Sequence, residues 1–166
     1  MITDRKAQTA VWALLVTLLF IAVAGGLVDI YRLFAARNWA YAVAQEAALA
    51  GVSKGRDWVS ITTSGDIRLV EAIARSTAES LVMAEMIERG ISGYSLDVRI
   101  LPNSDGGTIS GYPPRPVRLG GNLGSWSSDE PAVGVYVEMP VNWLLLDRIG
   151  IAEKTVAAFA AAGVSR

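Results

Sequence analysis

The chain has neither cysteine nor histidine among its 166 residues. That excludes disulfides, Cys/His zinc sites, a histidine-based triad and imidazole ligation of haem or chlorophyll. An excess of one charge is lacking too. Fifteen Lys and Arg stand against 16 Asp and Glu, giving a net charge of −1 and a pI of about 5.5. No overall basic field is available to attract nucleic acid, so none is expected as a partner. What the chain has in plenty is apolar residues, 52% of the total with mean hydropathy +0.36, concentrated near the N-terminus. Its length suits one domain of ordinary size with a short appendage.

Residues 7–28 carry no charge, and at 1.5 Å per residue they span ~33 Å, enough to cross a hydrocarbon core. Arg5 and Lys6 precede the run directly. A cleaved secretory signal shares that pattern, but the run exceeds a usual signal core and no clear small-x-small cleavage site follows it. The expectation is therefore a retained transmembrane helix, 7–28, behind a short cytoplasmic tail, 1–6. Arg32 and Arg37 on the far side weaken the charge asymmetry, yet the short tail favours a cytoplasmic N-terminus. Gly25 and Gly26 predict a close helix–helix contact in the outer leaflet.

Beyond Val28 nothing stops the helix. Asp29 and Arg32 stand at i, i+3 and predict a charge pair at the membrane exit. Trp12, Tyr31, Trp39, Tyr41 and Trp126 are amphipathic aromatics suited to an interface. Residues 35–50 are rich in alanine with Arg, Gln and Glu, all good helix formers, and lack proline. The first plausible stop is Gly51. One helix of about 45 residues, ~68 Å long, is predicted, with 29–53 forming a stalk. Its small residues Ala40, Ala42, Ala44, Ala47, Ala48 and Ala50 fit either the protein's own domain or a partner.

A head is expected over 54–166. Ser64-Gly65-Asp66 predicts an N-cap, followed by a helical apolar spacing through Ile67, Val70, Ile73, Ala74, Thr77, Leu81, Ala84 and Ile87, ending at Gly90. Residues 94–101 and 132–139 alternate as half-buried strands, with Val133, Val135, Val137 and Met139 inward. The tail, 155–164, fits a helix or a strand equally. Between the two strands, Gly and Pro punctuate 102–131 so densely that no regular element is expected there. That loop holds Tyr112 and Trp126, and it predicts a surface packed either on the protein itself or on a partner. The fold class is α+β: a long transmembrane helix extended into a stalk, and a second amphipathic helix packed on a small antiparallel sheet.

The stretch RKAQTAVWALLVTLLFIAVAGGLVDIYRLF, followed by YAVAQEAALAGV, resembles the N-terminus of TadE-like proteins, the minor pseudopilins of tight-adherence pili. In that family a membrane helix runs into an exposed helix with an acidic and a basic residue at the exit, where Asp29 and Arg32 fall. A second helix, a strand, a variable loop and closing strands follow. The resemblance covers the chain as architecture, and its motifs are specific over residues 5–52. It implies a pilin-like fold, a bacterial inner-membrane location with the head periplasmic or extracellular, and membrane-protein partners met through the helix. Processed members carry Gly at the cleavage point and Glu five residues into the mature chain. Aligned on Arg5-Lys6 and Gln8, those positions are Ala7 and Trp12, which implies a chain that stays uncut.

Enzymatic chemistry is not expected. Asp97 and Glu138 form a candidate carboxylate pair if their strands pair, but both occupy the outward phase. Ser64-Gly65-Asp66, Asp105-Gly106-Gly107 and Gly120-Gly121 lack the lysine and hydroxyl of a phosphate loop. Asn103-Ser104-Asp105 is too sparse for calcium. No cofactor is expected. Three readings follow: a component of pilus or secretion assembly, an accessory subunit bracing a large respiratory or photosynthetic membrane complex, or a binding head tethered to the bilayer.

Overall fold

No proline occurs in the first 101 residues. The computed structural model shows the consequence: helix α1 runs unbroken over Thr3–Lys54. The structure describes residues 3–115, 117, 124–146, 150 and 155–164, with backbone alone for residues 3–7. The side chains of Arg5, Lys6 and Ala7, and the Gly120-Gly121 turn, lie outside the described residues. The chain divides into two compact units, Met1–Ala35 with Val141–Lys154, and Ala36–Pro140 with Thr155–Arg166.

In the first unit α1 is the one helix among the described residues long and apolar enough to cross a membrane, and its most apolar window is unburied on every side. The second unit is mixed helix and sheet. It contains the rest of α1, the short helix α2 (Trp58–Ser64), helix α3 (Glu71–Glu88) and strands β1 (Ser95–Leu101), β2 (Gly107–Ser110), β3 (Ser125–Ser128), β4 (Ala132–Pro140) and β5 (Thr155–Gly163). The main sheet is antiparallel in the order β1-β4-β5, with Val98 opposite Val135 and Tyr136 opposite Phe159. The tail is thus a strand. β2 and β3 pair as a separate ribbon.

The alanine stripe proves intramolecular. Ala40, Val43, Ala44, Ala47, Ala48 and Val52 join α3 and the inner sheet face in one core, so this stretch is not a free stalk. Ala42 remains exposed. The predicted stop at Gly51 is also corrected. A Cβ there would lie 2.9 Å from the Ala74 carbonyl oxygen and 3.3 Å from Val133 Cγ1, and one on Gly55 would lie 2.6 Å from Ala74 Cβ. These glycines serve close approach of α1 and α3, and the helix passes through the first of them.

Ser64 ends α2 rather than capping α3. Gly65 follows it as a left-handed cap with φ 73°, and α2 itself begins on Asp57, whose carboxylate accepts from the amides of Val59 and Ser60. α3 buries Ala74, Ala78, Val82 and Met86, a ridge four residues apart, and leaves Ile73 and Ile87 exposed. Both faces of this helix carry apolar side chains. The small pair Ala74 and Ala78 decides which face α1 can reach.

The 102–131 segment departs furthest from expectation. Dense Gly and Pro leave room for β2 and β3, and the segment covers the sheet's second face. Tyr112 and Trp126 are buried there with Leu101, Ala132 and Tyr136. Tyr112 meets Phe159 edge to face at 5.4 Å and Trp126 at 5.9 Å between ring centroids. Its hydroxyl lies 2.8 Å from the Asp97 carbonyl and 2.9 Å from that of Gly134, so one proton is shared between two acceptors. Burial pushes this phenol up, and it stays a donor. Trp126 is therefore core, not an interface aromatic.

The aromatic pair lies directly on Gly134, where a Cβ would sit 3.0 Å from Trp126 Cζ3 and 3.1 Å from Tyr112 Cε1. Gly134→Val is expected to destabilise the head by about 1–3 kcal/mol through overpacking. Thermal unfolding in mild detergent checks this; an unchanged midpoint would show that the aromatic cover is not seated on the sheet.

Candidate functional site: a capped carboxylate on the apolar helix

Asp29 follows directly on the uncharged run, and its side chain is 0% exposed. Its neighbours Leu27, Val28, Ile30 and Tyr31 are all exposed. A lone carboxylate on an apolar helix is buried only if something supplies hydrogen bonds. The supply comes from residues 141–146, the chain that leaves β4. Leu144 N–H donates to Oδ1 at 2.7 Å, and Leu145 and Leu146 N–H both donate to Oδ2 at 2.8 Å.

Three successive amides turned to one side form an anion-binding concavity, and the carboxylate fills three of its roughly four acceptor sites with them. Such charge-assisted bonds are about twice as strong as neutral ones. The predicted ion pair with Arg32 is not formed: Arg32 is exposed, and the carboxylate faces the amides instead. A guanidinium on a flexible exposed stem competes poorly with donors fixed by backbone.

The two glycines part company. A Cβ on Gly25 would meet Leu145 Cδ2 at 3.2 Å, whereas one on Gly26 meets nothing within 4 Å. Gly25 thus admits the chain's own Leu145, one helical turn before Asp29, and Gly26 stays open. Trp12, Tyr31 and Tyr41 are 62%, 73% and 49% exposed. Trp39 is instead half-buried against the head's core, with the Arg89 guanidinium 4.3 Å above its ring.

Asp97 and Glu138 do not make a pair. The register sets Asp97 opposite Tyr136 and Glu138 opposite Ser95, and each has its own cation, Arg99 at 2.9 Å and Arg115 at 2.8 Å. Glu138 also accepts from Thr155 and Tyr136. Burial and then the Glu138 charge push the Tyr136 phenol up to about 12, so it acts as a donor and not a base near neutrality. Among the described residues no group of three or more metal-ligating side chains converges.

Sequence reading missed the partner of Asp29 altogether. The signal was present: Trp143, Leu144, Leu145 and Leu146 stand between Pro140 and Gly150, where a strand connection usually carries polar turn residues.

Asp29→Ala is expected to strip the amides of residues 144–146 of their acceptor and raise their hydrogen-exchange rates on the order of tenfold or more. Exchange measured by mass spectrometry on the detergent-solubilised chain checks this, with the β1–β4 amides as internal reference. Comparison with protein-family models, curated proteins and solved structures finds no match to this chain.

Proposed function

We propose that this chain is a non-enzymatic, single-span membrane protein of pseudopilin-like build, acting in pilus or secretion assembly through association of α1 with other membrane proteins. One observation carries the reading. The same helix is exposed around its whole circumference over residues 8–24, an uncharged stretch, yet supplies a core stripe to an α+β head in its second half. A bare apolar helix of that length is stable only in lipid or against other helices. The resemblance of residues 5–52 to TadE-like pseudopilins gives the class, and with it an inner-membrane location with the N-terminus cytoplasmic and the head periplasmic or extracellular.

A second reading is favoured by Ala7 and Trp12, which stand where processed pilins carry Gly and Glu. A chain not cut, and without the Glu that neutralises a neighbour's N-terminus, suits a fixed complex better than a filament. The protein would then be an accessory subunit bracing a respiratory or photosynthetic assembly.

Cells are sheared, their membranes dissolved in mild detergent, and the chain followed through both fractions by mass spectrometry. The proposal expects residues 1–12 intact and co-migration with assembly or secretion proteins. Co-migration with a respiratory or photosynthetic complex moves the assignment to the accessory reading, and a small free species overturns both.

Gly26 supplies a sharper probe, because it faces open space. Gly26→Leu is expected to release the chain from its partner without disturbing residues 141–146. Undiminished co-migration would exclude that face of α1 as the contact.

A further inference from the structure

We propose that residues 141–146 form a second membrane-contact element, which seats Trp143 and Leu144 in the interfacial layer of the bilayer beside α1. The inference rests on α1 being a membrane span, and it identifies lipid as the occupant of a surface that the span alone does not explain.

Position is the first ground. The amides of residues 144–146 are fixed on Asp29, and Leu145 lies against Gly25. The segment is therefore flush on the last turn of the apolar run. The uncharged residues end at Val28, and Arg32 is exposed one turn further on. That is the depth at which hydrocarbon gives way to headgroups.

Surface chemistry is the second. Leu144 is 54% exposed, and exposed Leu27, Val28 and Ile30 surround Asp29 on α1. No residue from 141 to 146 is charged. Exposed leucine beside an all-round apolar helix continues that helix's solvent requirement rather than interrupting it. Trp143 has an apolar body and a polar edge, the combination enriched at membrane interfaces.

Hydrogen-bond accounting is the third. In water the amides of an exposed loop are met by solvent at little cost. At the edge of hydrocarbon an unpaired amide is costly, and irregular backbone is tolerated only where its polar groups are satisfied internally. Asp29 satisfies three successive amides, and they in turn remove its charge from the surface.

The absence of cysteine makes the test direct. Single-cysteine variants L18C, L144C and I87C of the full chain are spin-labelled and reconstituted in vesicles of phosphatidylcholine and phosphatidylglycerol. Collision with oxygen, which partitions into lipid, is compared with collision with a water-soluble nickel chelate. Leu18 lies within the apolar run of α1, and Ile87 is exposed on α3 of the head. The expected result is a lipid-side depth parameter at Leu18 and Leu144 and a water-side parameter at Ile87. Lipid at Leu18 with water at Leu144 overturns the second contact and leaves the span intact. Shielding of Leu144 from both reagents also overturns it, because protein and not lipid then covers the loop. A water-side value at Leu18 overturns the membrane span itself, and the inference with it.

Discussion

One helix has to satisfy two different surroundings, and the arrangement of the chain follows from that constraint. Over residues 8–24 α1 offers exposed side chains in every direction, and no described residue of the chain buries them. Over its second half only a stripe is apolar, and that stripe is made of alanines with Val43 and Val52. Small side chains bring α1 close to its neighbours, and the two glycines at 51 and 55 carry the approach to backbone contact with Ala74. The sheet is covered on its other side by Tyr112 and Trp126, leaving β4 buried on both faces. A three-stranded sheet has little core of its own, and enclosure from both sides compensates for its size.

How much of this was legible depended on whether the signal was local. The long helix, the two alternating strands and the amphipathic α3 rest on periodicity within one segment, and all are present. The boundaries were harder. Gly51 reads as a stop because glycine usually is one; in the structure Ala74 and Val133 require the missing Cβ, and neither is near it in sequence. The burial of Tyr112 and Trp126 on the protein itself was one of two alternatives the loop left open, and what decides it, the missing Cβ of Gly134, lies in what reads as an ordinary strand. The helix expected from Ile67 begins at Glu71, and of its expected face Ala74 is buried while Ile73 and Ile87 are exposed, because the small Ala74 and Ala78 let α1 come close.

The carboxylate at position 29 shows the same limit in another form. Its importance was legible, because a lone acid at the end of an uncharged run demands a partner. Proximity in sequence pointed to Arg32, three residues away. The partners that satisfy it lie more than a hundred residues later and are backbone amides, which no side-chain pattern can announce. Residues 141–146 are recognisable only afterwards, as an apolar cluster where a turn between strands is normally polar.

The route of the chain gives the excursion a consequence in time. β4 and β5 are neighbours in the sheet, yet the chain between them visits the first unit before returning. β1 and β4 are synthesised before β5, so until β5 is made the far edge of β4 has no partner strand. β5 follows residues 141–154 in the chain, so it is synthesised only after they are. The last strand thus closes the sheet only after the whole excursion has been made, and until then that edge offers unpaired backbone groups.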